Sequence, residues 1–255
     1  MSIDLLFEED YAVLTINRPQ ALNALSFEIV GQIGEALERV SESEARVLIV
    51  TGAGEKAFCA GADIQELTGR SLAQEKRGVE LGQRVFLMLD RLKTPSIALI
   101  NGYAFGGGLE LALACTFRLA TPQAKMGLPE LTLGLIPGYG GTQRLPRLIG
   151  ESRAMEMILT AQTLTAQEAF DWGVINRIVD TPSVEEALCF ARKFTRFSSL
   201  AVQFAREAVQ RAASTGLEEG LRAEADLSTL AYRTADANEG LQAFLEKRKA
   251  KFRGQ

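Results

Sequence analysis

The fold is decided by the stretch SIALINGYAFGGGLE, which spans residues 96–110. Its first five residues predict a short buried strand, and Asn101–Gly102 predicts the turn that follows. The glycines at 106–108 then open an apolar helix with Glu110 in its first turn. Glycine lets a ligand approach the main chain closely, and a helix start offers unpaired N–H donors at a positive dipole end. This combination predicts an anion-stabilising backbone beside a carboxylate, which suits chemistry on a carbonyl group.

A second carboxylate, Glu130, follows twenty residues later in the run GLPE, residues 127–130. Most of the 32 acidic residues are expected to be solvated surface charges, and a glycine run alone is also typical of tight turns. Both glutamates, however, have apolar neighbours, where a carboxylate is costly unless it faces a polar cleft. If the two share a site, repulsion and desolvation keep one partly protonated near neutral pH. Glycosidases use a comparable pair, but a single tryptophan gives little sign of an aromatic sugar platform.

A second connection rich in small residues follows the strand predicted over 46–51. It reads AFCAGADI, residues 57–64, and we expect it to lie in a loop over 55–65. Two such strand-end loops can each supply one backbone N–H to the same oxygen. A donor pair of this kind contributes roughly a few kcal/mol at a developing oxyanion.

The composition excludes several classes of function. The chain of 255 residues has 28 basic and 32 acidic residues and a formal charge of −4, which argues against a nucleic-acid binder. It contains no histidine, which excludes Ser-His-Asp catalysis and most zinc sites. Cys59, Cys115 and Cys189 form no CxxC pair, which predicts reduced thiols in a cytoplasmic protein. No secretory pattern and no apolar run long enough for a membrane span are found in the sequence.

Strands and helices alternate through most of the chain, which predicts an α/β core with mostly parallel pairing. The predicted strands are a hairpin of residues 2–8 and 10–17, followed by 46–51, 96–100, 117–120 and 174–179. From about residue 183 onward the pattern is almost entirely helical. We therefore divide the chain into an α/β core, residues 1–195, and a C-terminal helical region, residues 196–255. The helical region is expected to form a lid or an oligomer contact, with packing inside the monomer as the alternative.

Taken together, the motifs resemble the crotonase, or enoyl-CoA hydratase/isomerase, superfamily. The resemblance rests on NRP and ALNA (17–24), FCAGADI (58–64), NGYAFGGGLE (101–110), MGLPE (126–130) and GLIP with GGTQR (134–144). It runs nearly end to end, finishing at AFLEKR, residues 243–248. It implies a spiral of repeated ββα turns with a C-terminal helical trimerisation region. The closest likeness is to enoyl-CoA hydratase, because both glutamate positions are filled, whereas the isomerases typically lack the first.

The resemblance also implies a reaction. The amides of Ala62 and Gly107 would hold a thioester oxygen, while Glu110 and Glu130 activate water for addition to a trans-2-enoyl-CoA, giving a 3-hydroxyacyl-CoA. Glu130 would deliver the proton to the α-carbon and Glu110 would help to deprotonate the water. Since relatives carry out other reactions, another crotonase-type acyl-CoA isomerase or lyase is the alternative. A non-catalytic CoA-binding or RNA-binding relative is a further alternative from a different class.

The implied ligand and assembly follow from the same likeness. The CoA and pantetheine channel would be lined by Ala21, Leu22, Ala24, Ala60, Asp63, Ile64 and Gln65. Many relatives have lysine where this chain has Gln65, which puts a charge contact to CoA there in doubt. Phe244 and Lys247 would reach the ligand of a neighbouring subunit in a homohexamer, a dimer of trimers. No metal or separate cofactor is implied, because coenzyme A is part of the substrate, and no nucleic-acid or membrane partner is expected.

The glycine-rich segment 134–142 predicts a loop. Tyr139, inside it, has two interpretations: it lines an acyl pocket, or it packs only its own loop. Arg144 and Trp172 are expected to be structural.

Overall fold

The computed structural model describes residues 2–255. They form two compact units, of which the first ends at Ala187 and the second comprises Leu188–Gln255. The division proposed from the sequence falls eight residues later, at the end of the helix Val184–Thr195. Within residues 2–255, no helix is long and apolar enough to cross a membrane.

The regular elements of the described chain are ten strands and ten α-helices. The strands are β1 (Ile3–Glu8), β2 (Tyr11–Ile16), β3 (Val47–Gly52), β4 (Ala57–Cys59), β5 (Ser96–Ile100), β6 (Tyr103–Phe105), β7 (Phe117–Ala120), β8 (Lys125–Gly127), β9 (Thr163–Thr165) and β10 (Arg177–Ile178). The helices are α1 (Phe27–Ser41), α2 (Leu72–Arg91), α3 (Gly107–Ala114), α4 (Gly141–Ile149), α5 (Glu151–Leu159), α6 (Ala166–Trp172), α7 (Val184–Thr195), α8 (Ser199–Ala212), α9 (Leu217–Ala231) and α10 (Ala235–Leu245).

The larger sheet has six strands in the order β1-β2-β3-β5-β7-β10. β1 and β2 pair antiparallel as the predicted hairpin, and the remaining pairs are parallel. β5 is buried along its whole length, and so is all of β3 except Thr51. Continuous apolar burial is typical of parallel strands that are covered on both faces. The predicted α/β core is therefore confirmed.

A smaller sheet of four short strands, in the order β4-β6-β8-β9, was not predicted. The segment 55–65 was expected to be a loop, and that is wrong for β4. Each strand has only three residues, which is too few for a period of two to be recognised. The chain visits one strand of each sheet and then a helix, in the repeats β3-β4-α2, β5-β6-α3 and β7-β8-α4, with a 3₁₀ turn before α2 and another before α4. These repeats are the ββα turns of the predicted spiral.

The strand predicted over 174–179 is mostly absent, because only Arg177–Ile178 pair with β7. The amides of Val174 and Ile175 instead donate to the Ala169 carbonyl, at 2.7 and 3.2 Å, and so close the end of α6. Both side chains are buried. Their apolar character reflects packing beneath a helix end rather than a sheet position.

The second unit consists of the end of α7, then α8, α9 and α10, and an irregular tail, as the helical pattern predicts. The tail is tied to α10 by Asp236, whose carboxylate accepts from the amides of Arg253 at 2.7 Å and Gly254 at 2.8 Å. Because Asp236 lies in the first turn of α10, its charge also complements the helix dipole.

Candidate active site

The turn between β6 and α3 places main-chain groups at the centre of the first unit. Gly106 caps α3 at a φ of +51°, and its amide donates to the Gly127 carbonyl at 2.9 Å. A Cβ on Gly108 would overlap the carbonyl oxygen of Cys59 in β4. The glycine run therefore has two roles, since it makes the turn and lets α3 pack directly on the small sheet.

The amides of Ala62 and Gly107 are available to a ligand. Ala62 lies in a parallel bridge with Leu25, held by bonds from the Leu25 amide to the Gly61 carbonyl (2.8 Å) and from the Asp63 amide to the Leu25 carbonyl (2.8 Å). A Cβ built on Gly61 would lie 3.8 Å from the Gly107 nitrogen, so this loop lies directly against the start of α3. Within residues 2–255, neither the Ala62 amide nor the Gly107 amide donates a hydrogen bond.

Glu110 is a buried carboxylate, only 2% exposed, on α3. Its Oε1 accepts two hydrogen bonds, from the amide of Tyr139 at 2.8 Å and from the amide of Gly141 at 2.7 Å. Burial raises the pKa of Glu110 to about 7 against the effect of these amides, and the charge of Glu130 raises it further. The side chain is thus oriented by the loop before α4 and titrates near neutral pH.

Glu130 begins a 3₁₀ turn, Glu130–Leu133, directly after Pro129. Its Oε1 lies 2.9 Å from the position of a Cβ on Gly106, so the carboxylate faces the glycine turn. Its Oε2 is buried and has no hydrogen-bond partner in the described chain, and burial raises the pKa of this carboxyl group. A buried acceptor without a donor is costly unless a ligand or water supplies one.

The two glutamates therefore act on one another beside the free amides. Glu130 lies against Gly106, the residue before Gly107, and its charge contributes to the raised pKa of Glu110. Two neighbouring carboxyl groups titrate as a pair, and repulsion favours a form that holds one proton.

An ion pair holds the loop that orients Glu110. Arg144 on α4 donates to Asp90 on α2 through Nε at 2.9 Å, and through Nη2 as well. Its Nη1 donates to the Tyr139 carbonyl at 2.9 Å. The peptide groups of Tyr139 thus connect Arg144 on one side to Glu110 on the other. Arg144 was expected to have a structural role, and its role is to hold the loop that orients Glu110.

The segments predicted to bind CoA lie side by side. The Ala60 amide donates to the Leu22 carbonyl at 3.0 Å, and the buried side-chain amide of Asn23 donates to the carbonyls of Ala53 (3.0 Å) and Ala57 (2.8 Å). The Asp63 carboxylate pairs with Arg18 at 2.6 Å and accepts from the Gln65 amide at 3.1 Å, so it is occupied within the loop. Ile64 and Gln65 are exposed.

Phe244 and Lys247 belong to the second unit. Phe244 is 82% exposed, near the end of α10, and Lys247 follows that helix with a φ of +55°. The predicted contact of these residues with a neighbouring subunit stays a prediction.

A family model described as enoyl-CoA hydratase/isomerase matches residues 7–255. The chain belongs to this family. The spiral fold and the resemblance noted in the sequence are thereby confirmed.

Relatives and solved structures agree with the family over nearly the whole chain. A crotonyl-CoA hydratase of Syntrophomonas wolfei is 42% identical over 96% of this chain and 95% of its own length. A short-chain-enoyl-CoA hydratase of Clostridium acetobutylicum is 38% identical over 95% of this chain and 94% of its own. The crystal structure of an enoyl-CoA hydratase from Bacillus anthracis superposes with a TM-score of 0.95 at 41% identity, covering both chains completely.

In this member of the enoyl-CoA hydratase/isomerase family, the groups that hold Glu110 were not predicted from the sequence. The donors are main-chain amides, and every residue except proline carries one. Asp90 and Arg144 are 54 positions apart, so no local spacing relates them. The glycine-rich segment 134–142 was the available signal, because glycine permits the tight turn that directs neighbouring amides at one oxygen.

Proposed function

We propose that this protein catalyses the reversible addition of water to a trans-2-enoyl-CoA, giving the 3-hydroxyacyl-CoA. The observation that carries the proposal is the meeting of the buried Glu110 carboxylate, the partly buried Glu130 carboxylate and two unused main-chain donors. Membership of the family supplies the substrate class, an acyl-CoA thioester.

The amides of Ala62 and Gly107 bind the thioester oxygen in this proposal. Withdrawing electrons from the carbonyl makes the β-carbon electrophilic and stabilises the enolate-like charge that develops on oxygen. One well-placed donor in such a hole contributes about 3–4 kcal/mol to transition-state stabilisation. The amides need no reorganisation, because the bridge to Leu25 and the start of α3 fix them before substrate arrives.

The carboxyl pair, holding one proton, performs the acid and base steps. Glu110 accepts a proton from water as the water oxygen bonds to the β-carbon, and Glu130 gives its proton to the α-carbon. The pair keeps one proton overall, since one carboxylate gains what the other loses. The proposal includes syn addition, in which both groups act on the same side of the double bond. The reverse steps dehydrate the product through the same groups.

The remaining ligand contacts and the assembly are part of the proposal. CoA lies along residues 21–24 and 60–65, with its contacts supplied by apolar side chains and main chain, because the Asp63 carboxylate is already paired. The functional form is a homohexamer in the cytoplasm, and the reaction requires neither a metal nor a separate cofactor. None of the three cysteines forms a disulfide within residues 2–255, which supports a reducing compartment.

A hydration assay with matched variants tests the proposal. The purified protein should consume crotonyl-CoA, with loss of the enoyl-thioester absorbance and formation of a single 3-hydroxybutanoyl-CoA enantiomer. Glu110→Gln and Glu130→Gln should each lower turnover at least about a hundredfold while still binding a saturated acyl-CoA. Glu156→Gln, an exposed glutamate on α5, is the control and should match the wild type. No turnover of crotonyl-CoA or its longer homologues by the wild type would overturn the proposal. If only Glu130 mattered, the double-bond isomerase alternative would be favoured.

A further inference from the structure

Resting on the proposed hydration, we propose that the Tyr139 ring closes the acyl pocket beyond the reacting double bond and restricts the substrate to short 2-enoyl chains. The sequence allows two interpretations of Tyr139, packing of its own loop and lining of the acyl pocket. In this proposal the side chain does both.

The direction of the acyl chain follows from the two carboxylates. Glu130 lies at the Gly106 turn and serves the α-carbon, whereas Glu110 serves the β-carbon. Glu110 is bound to the amide of Tyr139 at 2.8 Å. The carbons that follow the β-carbon are therefore next to Tyr139.

The Tyr139 ring fills the space between two helices there. Its Cδ2 lies 3.3 Å from the position of a Cβ on Gly107, the residue that supplies one thioester donor. On its other edge the ring is seated over Gly82 of α2, where any Cβ would overlap it. Phe86, one turn further along α2, packs edge-to-face against it with ring centres 5.4 Å apart. With only 7% of its surface exposed, Tyr139 has little freedom to swing aside.

A second aromatic ring, that of Phe27, continues the surface with which Tyr139 closes the pocket. Phe27 is seated over Gly78, which precedes Gly82 by four residues and so lies on the same face of α2. The guanidinium of Arg70 covers Phe27 with its carbon 4.1 Å from the ring centre. Two glycines one turn apart thus each receive one aromatic ring, and apolar volume that would accept an alkyl tail is already filled.

The surroundings beyond the ring also disfavour a long alkyl chain. Burial, followed by the charge of Glu110, raises the pKa of Tyr139 to about 12, so the phenol is neutral at working pH. The charges of Glu66, Arg70 and Glu75 also act on its hydroxyl. The hydroxyl makes no hydrogen bond within residues 2–255. Removing the hydroxyl alone should therefore leave the ring in place, so Tyr139→Phe is the matched control.

The test is a chain-length profile of kcat/KM with trans-2-enoyl-CoAs of four, six, eight and ten acyl carbons. The wild type and Tyr139→Phe should both lose at least about tenfold between four and eight carbons, and Tyr139→Ala should raise the eight-to-four ratio at least about tenfold. A wild type that uses the ten-carbon substrate as well as the four-carbon one would overturn the inference. An unchanged ratio in folded Tyr139→Ala would do the same, because a side chain that only packs its loop changes all substrates equally.

A binding measurement keeps the inference separate from the proposed function. The wild type should bind butanoyl-CoA more tightly than octanoyl-CoA, and Tyr139→Ala, or Tyr139→Leu if the alanine variant unfolds, should reverse or abolish that order. Equal affinities of the wild type for both ligands would contradict the inference that Tyr139 limits chain length, even if hydration is confirmed. If the wild type shows no hydration but still binds butanoyl-CoA more tightly than octanoyl-CoA, the proposed function is contradicted. The inference that Tyr139 limits chain length would still hold.

Discussion

At the scale of single residues, the account depends on how a carboxylate is kept in an apolar helix. Glu110 is flanked by leucines, and its burial would be prohibitive without the two amides that bind Oε1. The sequence predicts the pair Glu110 and Glu130 because carboxylates in apolar runs are unusual. It does not predict the hydrogen-bond partners of Glu110. These are main-chain amides, which almost every residue type has, so the sequence does not distinguish them.

The raised pKa of Glu110 predicts a pH-dependent stability. Its folded value is about 7, whereas an unperturbed glutamate has a pKa of about 4.3. The folded state therefore binds the proton more tightly, and this contribution to stability is fully present below about pH 4.3 and is lost as the pH rises through about 7. Glu110→Gln does not ionise and escapes this loss.

We expect the thermal unfolding midpoint of Glu110→Gln to exceed that of the wild type at pH 8 and to approach it at pH 5. The differential effect should be on the order of 1–3 kcal/mol. Scanning calorimetry at both pH values measures it, with Glu156→Gln as the control that should follow the wild type. Parallel pH dependences of Glu110→Gln and the wild type would show that Glu110 is not the group responsible.

At the scale of elements, the site depends on α2 and α4 holding the loop that contains Tyr139. Arg144 bonds to Asp90 and to the Tyr139 carbonyl, and its positive charge lowers the pKa of Glu110 against the larger effect of burial. Removing that charge should raise the Glu110 pKa and loosen the two amides.

Arg144→Gln should therefore lower kcat at least about tenfold and shift the pH profile of kcat/KM to higher pH. Arg144→Lys keeps the charge but not the forked geometry, so its pH profile should stay closer to that of the wild type. Arg147→Gln, one turn along α4 and exposed, is the control. A fall in kcat without any shift of the profile would mean that Arg144 is purely structural.

The close packing of α3 on β4 yields a second prediction at this scale. Gly108→Ala places a methyl group on the Cys59 carbonyl oxygen, whereas Gly31→Ala on α1 meets nothing within 4 Å. The first should lower the unfolding midpoint and the hydration rate. The second should be neutral or stabilising by about 0.5–1 kcal/mol, since alanine is favoured in a helix interior. Equal midpoints for the two variants would contradict the packing described.

Elements were predicted from the sequence to the extent that they are long and periodic. The central strands β3 and β5 and the amphipathic α1 and α2 have apolar patterns that identify them without tertiary information. β4, β6 and β8 do not, because three residues carry no period and their pairing is between distant segments. The error at 174–179 has another cause, since Val174 and Ile175 are buried under the end of α6.

At the scale of the whole molecule, the second unit presents apolar side chains that a monomer leaves in water. The adjacent residues Phe244 and Leu245 are each about 80% exposed, and an exposed apolar patch usually marks a contact surface. Light scattering should give a particle of six 27.7 kDa chains. Phe244→Asp combined with Leu245→Asp should yield smaller particles. A monomeric wild type would contradict the proposed hexamer.

The central claim is that Glu110 and Glu130 act as one acid–base unit, and the most direct measurement is kcat for crotonyl-CoA hydration in the two single glutamine variants and the double variant. Each single change should cost at least about a hundredfold. The double variant should be no more than a few-fold slower than the slower single one, because removing either member disables the pair. Losses that multiply in the double variant, or a single variant with near-normal turnover, would contradict the account.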